Sequence, residues 1–170
     1  GDRMKKMTEK NLGDAFAGES QAHMRYQIFA DVAEKAGYKN VARLFRAISY
    51  AEQVHATNHY RALGLIKDTE NNLQVAIDGE TYEVEEMYPV FNEVAKFQGE
   101  KSAEQSTHYA LEAEKIHAEL YKKAKESVKG KKDIDIGDIY ICTVCGYTAV
   151  GKAPEKCPVC GAPASAFKKF

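Results

Sequence analysis

The chain has 170 residues, enough for one ordinary domain or for a helical bundle of roughly 130 with a small unit attached. Its 24 basic and 25 acidic side chains leave a net charge of −1, and neither sign forms a long block, which argues against nucleic acid or a membrane surface as partner. No apolar run approaches the roughly 20 residues of a membrane span, and the polar stretch Gly1 to Lys10 has no apolar signal core, which points to a cytoplasmic protein.

Gly1-Asp2-Arg3 ahead of Met4 reads as a cloning remnant. The first helix is expected from Glu9 to Ala36, with Thr8 as N-cap, the apolar series Leu12, Phe16, Met24, Ile28 and Val32, and Gly37 as its stop. It contains Gly18-Glu19-Ser20-Gln21, and a glycine inside a helix costs about 1 kcal/mol relative to alanine, which marks close packing or a special site. The second helix runs from about Asn40 to Leu63, ends at Gly64, and puts Glu52 and His55 on its core face. Thr69 is expected to cap a third helix that reaches Phe97 before Gly99, and a fourth follows from about Glu100 to Lys129.

These four helices read as one hairpin written twice. Glu52-Gln53-Val54-His55 returns as Glu114-Lys115-Ile116-His117, and Tyr26, Phe29, Gly37, Ala51 and Ala56 return as Tyr88, Phe91, Gly99, Ala113 and Ala118. Glu and His three apart on a helix project toward one point. A single Glu-x-x-His reads as a solvated face. Two copies at equivalent positions, each with a further Glu on the other helix of its half, form the ligand set of a carboxylate-bridged two-metal site in a four-helix bundle. So many carboxylates and imidazoles are costly to bury without cations, and hard oxygen donors with one or two imidazoles suit iron or manganese. His23, His59 and His108 lack this pattern and read as surface or structural, whereas Tyr26 and Tyr88 flank the ligand turns and are expected to hydrogen-bond near the site.

Two irregularities stand out. Gly18-Glu19-Ser20 and Gly79-Glu80-Thr81 are counterparts, yet Glu80 stands one residue farther from Tyr88 than Glu19 does from Tyr26, and Pro89 follows at once. The extra residue and the proline call for a kink or π-bulge, expected to let Glu83 reach the metals as well. The connection from Gly64 to Asn72 reaches at most roughly 30 Å, marginal for a return along a bundle. A swapped dimer, in which the first two helices of one chain complete the last two of another, is the alternative to a self-contained bundle.

Beyond Gly130 a polar linker, 131–138, ends the helical period. Ile139-Tyr140-Ile141-Cys142 reads as a short strand. The pairs Cys142/Cys145 and Cys157/Cys160, each followed by glycine, read as two knuckles of a tetrahedral four-thiolate site for iron or zinc. A segment of about 32 residues cannot build much core, so the metal is expected to hold it folded.

The stretch Ala17-Gly18-Glu19-Ser20-Gln21-Ala22, then Gly79-Glu80, Glu83 and Glu86-Met87-Tyr88-Pro89, and finally Cys157-Pro158-Val159-Cys160-Gly161 make the whole chain resemble the rubrerythrins. The resemblance implies a mainly α protein: a ferritin-like diiron four-helix bundle over 1–130, a linker over 131–138, and a small rubredoxin-like β/knuckle metal domain over 139–170. It implies that Glu52 and Glu114 bridge two irons, that Glu19 completes one, and that Glu80 with His117 completes the other. Glu83 is expected on the first iron when oxidised, with His55 replacing it when reduced, and Cys142, Cys145, Cys157 and Cys160 are expected to hold one further iron, with zinc as a substitute. Glu83, His55 and Tyr26 are thus the residues expected to serve catalysis. The implied activity is reduction of hydrogen peroxide to water in oxidative-stress protection. Electrons would come through the rubredoxin-like iron from a rubredoxin or an NAD(P)H-dependent rubredoxin reductase. The expected assembly is a homodimer, helix-swapped or not, or a higher oligomer. The alternative is a ferroxidase or oxygen-reducing diiron protein in iron handling.

Overall fold

The computed structural model describes residues 4–170; Gly1-Asp2-Arg3 lie outside the described residues. The chain is mainly helical with a small C-terminal sheet, and it divides into two compact units, one ending at Lys67 and the other running from Asp68 to Phe170.

The first unit is a helical hairpin of α1 (Lys6–Lys35) and α2 (Lys39–Ala62). Helix α1 starts at Lys6, so Thr8 lies inside its first turn and is not its cap; Lys6 and Met7, both good helix formers, carry the helix back past the hydroxyl. Gly37, at φ +87°, turns the chain, a conformation that a side chain would strain. Ala30 and Ala33 on α1 and Ala42, Ser49 and Ala56 on α2 are buried, so small side chains let the two helices approach closely. The fully buried Ser49 hydroxyl donates to the His23 carbonyl at 2.8 Å and accepts from Gln27 Nε2 at 2.8 Å, while His23 Nδ1 meets the Ser49 carbonyl at 2.8 Å. His23 is a cross-brace between the helices, in line with the structural role expected of it.

The second unit begins with α3 (Thr69–Tyr82), continues through a π-turn (Glu83–Met87) into α4 (Tyr88–Gln98), and returns along α5 (Lys101–Lys129). The cap of α3 is Asp68 rather than Thr69: its carboxylate accepts from the Asn71 backbone N–H at 2.9 Å, and Thr69 is the first helical residue. The π-turn occupies the place where one residue was in excess, and Pro89 falls in the first turn of α4, where its missing N–H is tolerated. Asn92 is buried on α4 and donates to the Glu104 carbonyl at 2.8 Å and to Thr107 Oγ1 at 2.9 Å, bracing α4 to α5.

After the linker, β1 (Ile139–Cys142), β2 (Thr148–Val150) and β3 (Phe167–Lys169) form an antiparallel sheet in the order β2-β1-β3, with Ile141 opposite Thr148 and Cys142 opposite Phe167. Its core is the cysteines themselves, with Tyr147, Val159 and Phe167 around them and Tyr109 of α5 packed against the cluster. Among the described residues no helix is long and apolar enough to cross a membrane.

Candidate metal centres

Each unit gathers one carboxylate–imidazole set. In the first, Glu19 of α1 meets Glu52 and His55 of α2, with one donor atom from each within 4.8 Å of the others. His55 Nδ1 lies 3.0 Å from Glu52 Oε2 and 3.8 Å from Glu19 Oε1. In the second, Glu80 of α3 meets Glu114 and His117 of α5 within the same limit, and His117 Nδ1 lies 3.0 Å from Glu114 Oε2 and 3.9 Å from Glu80 Oε2. The repeat in the sequence is therefore a repeat in space, set by the three-residue spacing that puts Glu and His on one helical face.

The electrostatics are those of carboxylates crowded without a counter-charge. A hydrogen bond with Glu52, and then burial, push the Glu19 carboxyl up, while the same hydrogen bond and the His55 ring pull Glu52 down. Burial, followed by the hydrogen bond and charge of Glu114, pushes Glu80 up to about 8. Glu80 Oε2 is buried with no hydrogen-bond partner among the described residues, an orphan acceptor of the kind a cation satisfies. Glu83, first residue of the π-turn, is hydrogen-bonded to Glu80 and raised by burial and then by the Glu114 charge. It stands beside the second set without being one of the three donors that converge there. Tyr88 is raised by burial and then by the charges of Glu83, Glu114 and Glu80. Tyr26, its counterpart, packs its ring on Phe45 and Phe29 at centroid distances of 5.9 and 6.4 Å. His108 lies against Tyr109, at 6.3 Å between ring centroids.

The four cysteines form a third cluster, with all Sγ atoms within 4.8 Å of one another. The separations Cys142–Cys160 and Cys145–Cys157 are 3.6 and 3.5 Å, far beyond a disulfide and close to the edge of about 3.8 Å expected of a tetrahedron with metal–sulfur bonds of about 2.3 Å. Gly146 and Gly161, at φ +80° and +77°, close the knuckles by donating to the Cys142 and Cys157 carbonyls, each at 2.9 Å. Burial drives Cys145 upward. Burial acts on Cys157 too, but the N–H groups of Cys160 and Val159 outweigh it and bring that thiol down to about 7, favouring a metal-binding thiolate.

One contact had no signal in the sequence. Thr148 of β2 places Oγ1 2.7 Å from His117 Nε2. The strand is three residues long and its partner is on α5, so neither periodicity nor motif spacing could link them.

The groups needed for a diiron site and for a rubredoxin-like four-cysteine site are thus both present, and their donor chemistry fits iron: hard carboxylates with imidazole in one place, four thiolates in the other. Residues 10–125 match the family model described as Rubrerythrin, and residues 140–168 match that of the rubrerythrin rubredoxin-like domain. Rubrerythrin-2 of Clostridium acetobutylicum is 47% identical over 178 residues, covering 96% of this chain and 97% of its own. Nigerythrin of Nitratidesulfovibrio vulgaris is 34% identical over 177 residues, covering 96% of this chain and 86% of its own. Among solved structures, nigerythrin in a mixed-valence state aligns with a TM-score of 0.55 at 32% identity, over 99% of this chain and 88% of that one. The helical match spans both carboxylate–imidazole sets and the knuckle match spans all four cysteines, and on these grounds the chain belongs to the rubrerythrin family.

Proposed function

We propose that this protein is a peroxidase of the rubrerythrin type, reducing hydrogen peroxide to water in oxidative-stress protection. Its relatives make it an oxidoreductase; the duplicated carboxylate–imidazole set, on one chain with four clustered thiolates, is the observation that supports the narrower reading. Residues 1–130 serve as the ferritin-like diiron bundle and 139–170 as the electron-transfer domain, joined by the linker 131–138. Glu52 and Glu114 would be shared between the two metals, Glu19 would complete one side, Glu80 and His117 the other, and Cys142, Cys145, Cys157 and Cys160 would hold the single iron. Metal ions held there would supply electron-transfer chemistry: a carboxylate-held pair could deliver two electrons to hydrogen peroxide, and a thiolate-held iron could return them singly.

The chain's own groups supply the rest. Two protons are needed for each peroxide converted to two waters, and Glu83, beside Glu80 and Glu114, is placed to relay them. His55 lies 3.0 Å from Glu52 with its side chain 53% exposed, and it and Glu83 would be the two exchanging ligands, imidazole in the reduced state and carboxylate in the oxidised one. An anionic Glu83 suits the more highly charged metal state and a neutral imidazole the less charged one. Tyr88 lies beside the second set, under the charges of Glu83, Glu114 and Glu80, and Tyr26 is its counterpart in the repeat.

The working assembly is a homodimer in which the two units of one chain pair with those of a second copy. Only residues 63–68 separate α2 from α3, a reach of roughly 25 Å, whereas the 24-residue α2 is about 36 Å long. The short reach beside the length of α2 is what supports exchange between two copies. The electron donor is a rubredoxin or an NAD(P)H-dependent rubredoxin reductase.

The test is a rapid-mixing experiment. Iron-loaded protein, reduced anaerobically, is mixed with one equivalent of hydrogen peroxide or with oxygen while the red iron–thiolate absorption is followed. Fast return of colour with peroxide and slow return with oxygen supports the peroxidase. The opposite preference establishes the ferroxidase or oxygen-reducing reading instead.

A further inference from the structure

Thr148 is 4% exposed, and its backbone is fixed by pairing with Ile141 across the sheet. Its hydroxyl has one proton to give, and that proton goes to the Gly146 carbonyl at 3.2 Å. With the proton so placed, Oγ1 presents a lone pair to His117 at 2.7 Å, and the tautomer that carries its proton on Nε2 donates to it. Across the ring, Nδ1 faces Glu114 Oε2 at 3.0 Å and Glu80 Oε2 at 3.9 Å, the side on which the three donors of the second set converge. Apolar side chains surround the pair: Leu120 of α5, Ile134 and Ile136 of the linker, and Ile139 and Ile141 of β1 line a cavity of about 320 Å³ that reaches both residues. Their presence limits competition from water for the hydrogen bond.

We propose that Thr148 is a positioning residue for the carboxylate–imidazole centre: by accepting Nε2–H it fixes the His117 ring and leaves Nδ1 free to bind a cation. The proposal rests on the reading of His117 as a metal ligand. A ring so held needs no reorientation on metal binding, and outer partners of this kind are commonly worth ten- to a hundredfold in metal affinity. The side chain of His117 is 28% exposed against 53% for His55, so the fixed ring and the movable ring are the two halves of one repeat given different surroundings. Thr148 also lies two residues beyond Gly146, the glycine of the first knuckle, so the folding of the four-cysteine unit is tied to the orientation of an imidazole on α5.

Thr148→Val keeps the shape and removes the acceptor; Thr148→Ser keeps the acceptor. The full chain, with its cysteine site filled with zinc, is titrated calorimetrically with further Zn(II), and the histidine side-chain ¹⁵N–¹H spectrum is recorded at saturation. The expected result is a slowly exchanging His117 Nε2–H with a contact to the Thr148 methyl in the unsubstituted protein. Thr148→Ser is expected to retain the slow exchange, and Thr148→Val to lose it and to bind Zn(II) about 10–100-fold more weakly. Absence of a protected Nε2–H in the unsubstituted protein, or unchanged affinity in Thr148→Val, overturns the proposal. His117→Ala separates the two readings. Weakened binding there with none in Thr148→Val removes Thr148 alone, whereas unchanged binding in His117→Ala removes His117 as a ligand and the proposal with it.

Discussion

Burial holds the Glu80 carboxyl between Glu114 and Glu83 with one oxygen unpartnered and lifts it from 4.5 to about 8. Between those two values the metal-free folded chain binds a proton that the unfolded chain has released, so stability declines as pH rises through the window. Glu83 is raised as well and acts with the same sign, whereas the rise of Glu19 is opposed by the fall of Glu52 across their shared hydrogen bond. The melting temperature of the metal-free protein is expected to fall between pH 5 and pH 8, by an amount on the order of 5 °C. Glu80→Gln cannot ionise and is expected to flatten most of that decline while weakening metal uptake by the second set. Circular dichroism melts across the pH range check the first statement, and calorimetric titration checks the second. A Glu80→Gln profile as steep as that of the unsubstituted protein would show that other groups govern the decline.

At the scale of elements, two features invite direct tests. The Asp68 carboxyl is held below its usual range by the Asn71 backbone N–H and then by the Asn71 side chain, so its stabilising effect is present above the unfolded value and lost as pH falls through the folded one. Asp68→Ala is expected to lower the melting temperature at neutral pH by about 2–4 °C, and Asp68→Asn, which still caps, by much less. The π-turn is the second feature. Deleting Glu85 restores the spacing that α1 has between Glu19 and Tyr26 and should leave a regular helix from Glu80 onward. Helix content is expected to survive, because α1 folds without the extra residue. Peroxide turnover is expected to fall on the order of 10²-fold, because Glu83 is re-aimed. Retention of full turnover by the deletion would show that the π-turn is dispensable for catalysis.

For the molecule as a whole, the single chain leaves large apolar side chains uncovered in both units: Met24, Ile28 and Val32 on α1, and Val90, Phe91 and Phe97 on α4, the last 92% exposed. Apolar faces of that extent make the proposed exchanged homodimer worth a direct test. One variant lacking Glu19 and Glu52 and another lacking Glu80 and Glu114 should each be inactive. Refolded together they are expected to regain about a quarter of the unsubstituted turnover, since half the dimers are mixed and each mixed dimer has one complete site. Absence of any recovery would return the bundle to a single chain. Removing the metal from the cysteines tests the other end of the molecule. The three strands are short and their core is the sulfur cluster, so hydrogen exchange across 139–170 is expected to become fast while the helical circular dichroism persists.

Sequence alone determined the four helical segments, the duplicated Glu-x-x-His, the extra residue ahead of Pro89 and the two cysteine knuckles. These are local statements: helix geometry converts a three-residue spacing into a shared face, and a Cys-x-x-Cys-Gly turn converts backbone freedom into a chelate. The tertiary structure decided what local spacing does not contain. It moved the start of α1 ahead of Thr8 and the cap of α3 to Asp68, because helix ends follow the competition among neighbouring side chains and backbone groups. It supplied β2 and β3, three residues each, which exist only by pairing with β1. It set Tyr26 among phenylalanines and Tyr88 beside carboxylates, although the repeat treats them alike. And it brought Thr148 to His117 across a separation of 31 residues, a contact made by packing a sheet on a helix and so absent from the pattern of either.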